Sequence, residues 1–235
     1  MESMSGLVKR SKGSRITAKR GYNASRRREH AERNRGGVLD AAERLFLRDG
    51  YAATTIASIA AAAAVSVETI YKAFGGKAGL VRAIRERRLG GQGPVPAEQR
   101  SDRMRAREPD PRKIIANWAT LTTEVAPLVS PILLLVRAGA GADPEMATLL
   151  EEMDADRLRR MTTNARHLHD AGHLRPGVTL RHAAEILWTY SSPELYELLV
   201  LRRGWPLARY GRFVGDAMIA ALLPPRVGEA RTGKA

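Results

Sequence analysis

Val67, Glu68, Thr69, Tyr71 and Lys72 make a short polar and aromatic run with a basic end, and Ser66 precedes them as a residue type that caps helices. A serine at that position brings a hydroxyl and a helix N-terminus to one place, where both can meet a phosphate. Thr55 has the same double use a few residues earlier. The chemistry these groups offer is recognition: donors, acceptors and a cation turned outward. Catalysis has no comparable signature, because the chain lacks a phosphate-cradling glycine loop, a nucleophile elbow and a metal-binding helix motif. The expectation is therefore a protein that is not an enzyme, uses no cofactor and holds no metal.

The elements that must position these groups are legible from periodicity. Ile56, Ile59, Ala60 and Ala63 recur at helical spacing, Val65 and Ser66 interrupt the pattern, and Ile70 and Phe74 resume it. This spacing predicts two short helices joined by a tight turn, a helix-turn-helix, with Val65, Ile70 and Phe74 holding the second helix against a core. Upstream, Val38, Ala41, Ala42, Leu45 and Phe46 form one helical face that ends at Asp49 and Gly50. Downstream, a helix over about 77–89 turns Leu80, Val81 and Ile84 inward. A capped helix pair by itself is most often only a surface feature, so charge has to be weighed beside it.

The net charge is +14 over 235 residues, and its placement is uneven. Residues 1–35 hold eleven Lys or Arg against three Glu, whereas everything after residue 90 holds twenty against seventeen acidic residues. A basic arm beside a helix-turn-helix favours a polyanion, since neutralised phosphates release counterions. Arg26, Arg27, Arg28, Arg33 and Arg35 are the candidates to enter an adjacent minor groove or to run along phosphates; a solvated, solubilising tail is the alternative.

Five segments follow: a basic flexible arm over 1–35 with helix near Arg26 to Arg33, the helix-turn-helix domain over 36–89, a linker or mobile loop over 90–111, a helical domain over 112–223, and a frayed tail over 224–235. The helical domain reads as helices over 112–126, 131–140, 144–171, 180–190, 193–202 and 206–223, with Pro131, Pro144, Pro193 and Pro206 at first helical positions. No strand-like alternation is visible, so the fold class is all-α. No apolar run approaches the roughly 20 residues a membrane helix needs, the longest being Pro131 to Val136. The expected location is the cytoplasm, beside the nucleoid, and the absence of cysteine is compatible with it.

The stretch GGVLDAAERLFLRDGYAATTIASIAAAAAVSVETIYKAFGGKAGLVRAI resembles the DNA-binding domain of TetR-family transcriptional regulators, with its LF, GY and TT residues, the IA pair, VS at the turn, TIYxxF and GxKxxL. Two positions depart from the family pattern: Ser58 stands where many relatives are acidic, and Ala64 where many have glycine. The resemblance implies that Thr55, Tyr71 and Lys77 contact phosphates and that Val67, Glu68, Thr69 and Lys72 meet base edges. Chemically, Val67 and Thr69 suit a thymine methyl, Glu68 accepts from cytosine N4, and Lys72 reaches guanine or phosphate.

The resemblance further implies a second domain that dimerises and encloses a small-molecule site. Tyr210, Phe213, Val214, Ala217, Met218 and Leu222 form a helical stripe with Gly211 and Gly215 beside it, and Ala183, Leu187 and Tyr190 lie upstream. Periodicity alone fits an internal core stripe equally well; the family context favours a dimer surface. Trp118, Leu121, Met146, Met153, Met161 and Trp188 are candidate pocket residues, although each is individually an ordinary core residue type. His169 and His173 are spaced to share an ion but lack a third ligand fixed by spacing, so surface histidines are the better account. The expected protein is a homodimeric, ligand-responsive repressor of a palindromic operator; a constitutive nucleoid-type DNA binder is the alternative.

Overall fold

The computed structural model describes residues 14–226, with side chains from residue 31 onward; Arg26, Arg27 and Arg28 of the basic arm and the tail beyond 226 therefore fall outside the described side chains. The described residues are all-α. Helix α1 (Ser14–Asp49) is followed by α2 (Ile56–Ala62), α3 (Val67–Phe74) and α4 (Lys77–Leu89). The backbone is thus helical from Ser14, where composition suggested an arm without lasting structure. No proline falls between Ser14 and Asp49, so a helix anchored by Val38, Leu39, Ala41, Ala42, Leu45 and Phe46 can propagate backwards without interruption.

The segment 90–111 is more than a linker, because it contains α5 (Ala97–Arg105). Arg100 ties this helix to Glu124 of α6, and Arg160 of α7 pairs with its Glu98 and Asp102. These ion pairs tie α5 to α6 and α7 in a run whose composition alone reads as loop.

Helix α6 (Pro111–Gly139) runs unbroken where two helices were expected. Pro127 and Pro131 lie inside it, so Pro131 does not begin a helix, and Ser130 before it is a buried helical residue. An interior proline removes a backbone hydrogen bond and costs about 3 kcal/mol. Burial of Ile114, Ile115, Trp118, Val129, Ile132 and Val136 along the same helix outweighs that cost. Joined in this way the helix is long and apolar enough to cross a bilayer, contrary to the sequence expectation, yet it is packed as a central helix against α4, α7 and α10.

The remaining helices follow their caps. Asp143 accepts from the Glu145 and Met146 amides at the start of α7 (Pro144–Asp170), Thr179 caps α8 (Leu180–Tyr190), and Ser192 caps α9 (Pro193–Tyr196). A π-helical stretch over Glu197–Arg202 extends α9, and α10 (Leu207–Leu222) closes the fold with Pro206 as its N-cap.

Two cores result. One joins α1 to α4 with Ile132 and Val136 of α6 and Met146, Leu149 and Met153 of α7. The other joins the first half of α6, the end of α7, and α8 to α10. The helix-turn-helix unit is therefore seated on α6 and α7 rather than tethered through a loop.

The second core corrects the reading of the C-terminal stripe. Tyr210, Val214, Met218 and Leu222 are buried within the chain, as are Ala183 and Leu187. Tyr196 meets Tyr210 edge-on at 5.8 Å. A Cβ at Gly211 would lie 2.5 Å from Thr123 Cγ2, and one at Gly215 3.1 Å from Ala119 Cβ, so these glycines let α10 approach α6. Of the stripe, Phe213 is 40% exposed and Ala217 and Tyr190 are half-buried. Phe213 lies edge-on to Trp205 at 5.6 Å, and Leu198, Leu201 and Leu207 are exposed as well.

Candidate nucleic-acid interface and effector cavity

The turn between α2 and α3 is built from the chain outward. Thr55 and Ser58 form a reciprocal capping box: Ser58 N donates to Thr55 Oγ1 at 3.0 Å and Thr55 N donates to Ser58 Oγ at 3.2 Å. Ser58 thus does with a hydroxyl what an acidic residue does at that position. At the other end of α2, Val65 N donates to Ala60 O at 3.0 Å and Ala64 N to Ala61 O at 3.3 Å, the paired bonds of a Schellman stop. Ala64 carries the left-handed residue of that motif at φ 53°. Alanine there is strained by about 1 kcal/mol relative to glycine. Ala64→Gly is expected to raise the urea midpoint by the equivalent of about 1 kcal/mol with an unchanged m-value; an unchanged midpoint would show that the turn relaxes this strain elsewhere.

This stop bends α3 by 108° from α2, the geometry that presents a second helix to a groove. Ser66 Oγ accepts from Thr69 N at 3.1 Å and lies 2.8 Å from Thr69 Oγ1, and Gly75 ends α3 at φ 76°. Ile70 is fully buried, while Val65 and Phe74 pack against the same core. Val67, Glu68, Thr69, Tyr71 and Lys72 are all exposed, so the expected outward face and its anchors are separated as periodicity predicted. Thr55 and Ser66 are exposed with their hydroxyls already accepting cap bonds.

Two cationic residues of the expected set stand differently. The Lys77 ammonium donates to Tyr51 O at 2.7 Å and Thr54 O at 3.1 Å and lies 4.1 Å from the Tyr51 ring centre. It is occupied in tying α4 to the α1–α2 turn, because those carbonyls have no helical donor, and it does not point outward as a phosphate contact would. Arg35 lies 4.5 Å over the Phe74 ring, which brings it beside the end of α3, and Arg33 is exposed on α1.

Several residues that hold the site went unremarked in the sequence. Glu43 on α1 accepts from Arg88 Nε and Nη2, both at 2.7 Å, and from Arg87 Nη2 at 3.0 Å. The Tyr51 hydroxyl donates to Glu145 Oε2 of α7 at 2.7 Å; burial first, then this bond, pushes its pKa up, so it stays a donor at neutral pH. Gly79 sits so close to the Phe74 carbonyl that a Cβ would fall 1.7 Å from the oxygen. Ser58 and Tyr51 carried a local signal in their motifs; Glu43 and Gly79 carried none.

A cavity of about 710 Å³ lies behind this unit, lined by residues of every helix from α4 to α10. Trp118, Leu121, Met153 and Met161 line it as candidates from the sequence did. Met146 does not: it is buried in the first core against Gly139. Trp188 does not either, since its ring lies 4.1 Å under the Arg157 guanidinium and its Nε1 donates to Asp154 O at 3.4 Å. Arg85, Glu86 and Leu89 bring α4 itself into the wall, and Arg85 pairs with Asp156 of α7 at 2.9 Å. Among the described residues, no group of three or more His, Asp or Glu is arranged to hold a metal.

Residues 38–84 match the family model described as bacterial regulatory proteins, tetR family. The curated HTH-type transcriptional regulator TtgR of Pseudomonas putida is 44% identical over 59 residues, which are 25% of this chain. Among solved structures, the SmeT–triclosan complex aligns at 25% identity with a TM-score of 0.64, covering 82% of this chain and 93% of that one. NalD of Pseudomonas aeruginosa, described as a secondary repressor of a multidrug efflux pump, aligns at 21% identity and a TM-score of 0.65, covering 84% and 99% of the two chains. A transcriptional regulator of Saccharomonospora viridis in complex with choline aligns at 19% identity and a TM-score of 0.60 over 83% of this chain and 100% of that one. The sequence match to the curated relatives spans 28% of their length, little more than the helix-turn-helix unit.

Proposed function

We propose that this chain, whose residues 38–84 match the tetR-family model, is a TetR-family ligand-responsive repressor that occupies a palindromic operator as a homodimer. The observation that carries this reading is the outer face of α3, where Val67, Glu68, Thr69, Tyr71 and Lys72 are exposed on a helix held rigid by Ile70 and the Ser66 cap. In this reading Val67, Glu68, Thr69 and Lys72 meet base edges, Thr55, Ser66 and Tyr71 meet phosphates, and Arg33 and Arg35 extend the grip from α1. Lys77 supports the site by fixing the α1–α2 turn instead of touching DNA.

The homodimer uses the surface left over by the second core, around Phe213, Trp205, Leu198 and Leu201 and the half-buried Tyr190 and Ala217. Phe213, Leu198 and Leu201 are exposed apolar side chains, and apolar surface of this kind favours a partner. Two α3 helices in successive major grooves must stand about 34–36 Å apart, so a change in their separation changes affinity. Helix α4 supports such a coupling, since it begins at the end of α3 and its last turns line the cavity. An effector that prefers one position of α4 shifts the population toward it. The relatives solved with triclosan and with choline lend the sensing part of the reading its support. The protein would then act wherever its DNA is, which for a bacterial regulator is the cytoplasm.

The test is selection of bound sequences from random duplexes by the full chain at physiological salt. A palindrome preferred over random duplex by about a thousandfold or more is expected. Thr69→Ala and Lys72→Ala should each weaken the preferred site about tenfold and relax one position of it. An intact preference in both variants would move the reading face off α3, and equal binding to all duplexes would make the protein a nucleoid-type binder.

A further inference from the structure

The wall of the cavity carries chemistry that narrows what can occupy it. Trp118 is 6% exposed and its Nε1 has no hydrogen-bond partner; Ser101 is 4% exposed and its Oγ has none either. Both residues line the cavity, one from α6 and one from α5. An indole N–H can only donate, so its missing partner is an acceptor, whereas a serine hydroxyl can serve either way. Arg85 Nε and Asp102 Oδ1 of the same wall also lack a hydrogen-bond partner, but both residues are held in ion pairs. Buried polar groups in native proteins are nearly always satisfied, and the two neutral unsatisfied ones, Trp118 and Ser101, point to an occupant that supplies the partners.

The charged residues of the wall argue against an ionic occupant. Arg85 pairs with Asp156 at 2.9 Å, Arg157 with Asp154 at 3.1 Å, and Arg160 with Glu98 at 3.0 Å and Asp102 at 2.8 Å. Arg159 also pairs with Asp156, and Arg137 with Glu194. Each arginine of the wall is thus already neutralised by a carboxylate that an anionic ligand would have to displace and then face. A cation would meet the reverse conflict at those carboxylates, since they are held by guanidinium groups; Glu86, the other carboxylate of the wall, is exposed to solvent. The rest of the wall includes Leu121, Val125, Val129, Leu133, Met153 and Met161, and the volume is that of a site for a small organic molecule.

We propose that the cavity binds an uncharged, mainly apolar molecule with one hydrogen-bonding oxygen, of which a phenol is the simplest case. Its oxygen accepts from Trp118 Nε1–H, and Ser101 Oγ provides the second polar contact. This assignment rests on the effector-sensing reading of the same cavity, and the experiment separates the two.

The full chain is titrated calorimetrically at pH 7 with 2-naphthol, naphthalene and 2-naphthoate, three probes of one ring system. The phenol is expected to bind about tenfold more tightly than the hydrocarbon, the effect of one buried hydrogen bond, and at least about tenfold more tightly than the carboxylate. Trp118→Phe and Ser101→Ala should each cut the advantage of naphthol over naphthalene, both affinities being measured on each variant, with helix content by circular dichroism as the check on folding. Ser101→Ala removes only an oxygen and keeps the test decisive if Trp118→Phe disturbs packing. Naphthoate binding as tightly as naphthol, no binding of any probe, or an undiminished naphthol advantage in both variants would overturn the proposal. Naphthol binding as expected, with operator affinity unchanged by it, would uphold the ligand chemistry and overturn the sensing role.

Discussion

Gly79→Ala is expected to lose about 3 kcal/mol of stability and with it most DNA binding, a larger effect than any single change on the reading face. The added Cβ would stand 1.7 Å from the Phe74 carbonyl oxygen and 2.8 Å from its carbon. Both atoms are backbone at the last residue of α3, so no side-chain rotation relieves the contact. Either α4 must lift from α3 or the end of α3 must unwind, and each would disturb Ile70 and Leu80, which are fully buried in one core. Thermal and urea denaturation followed by circular dichroism measure the loss. A variant that melts within about 1 kcal/mol of the parent would mean the two helices do not approach so closely in the folded protein.

Glu43→Ala should cost about 2 kcal/mol and loosen α1 from α4. The Glu43 carboxylate is nearly buried and accepts three hydrogen bonds from two arginines, while Arg87 reaches Asp40 at 2.8 Å as well. Removing the carboxylate leaves Arg87 and Arg88 facing each other across an emptied contact. Both arginines keep about a third of their surface in water, which lowers the cost from that of a fully buried pair. Glu43→Gln retains the shape and some hydrogen bonds, so it should lose roughly half as much. The urea midpoints of the two variants decide the matter: equal loss in both would assign the effect to charge, and no loss in either would make the cluster a solvated surface feature. Because α1 and α4 flank the helix-turn-helix, a weakened operator affinity should accompany the loss in Glu43→Ala.

These two positions also show where sequence reasoning reaches its end. Gly79 stands in a helical run as an apparent weakness, and nothing in its neighbours announces that α3 passes against it. Glu43 reads as one more solvent-facing charge on α1 until the return of α4 encloses it. By contrast, Ser66 and Thr55 were readable because a cap is made by residues within four positions of each other. Ala64 was legible as an oddity in a glycine position, and the structure resolves it as a left-handed residue that the Schellman stop requires. The long helix α6 escaped notice for a different reason: Pro127 and Pro131 are local stop signals, and burial on both sides of them overrode a preference that acts only nearby.

Periodicity identifies an apolar face but never the surface that meets it. The stripe of Tyr210, Val214, Met218 and Leu222 is a buried face whose partners are α6 and α8 of the same chain, which leaves Phe213 exposed beside the half-buried Trp205. The same limit explains the cavity, where Trp118, Leu121, Met153 and Met161 line the wall while Met146 and Trp188 are absorbed into packing. What the sequence by itself determined is the helix-turn-helix unit: its turn, its caps and the division of α3 into anchored and exposed residues, all set by contacts between near neighbours. Only the tertiary structure decided that Lys77 faces inward, that α5 exists, and which residues enclose the cavity, because each depends on side chains tens of positions apart meeting in space.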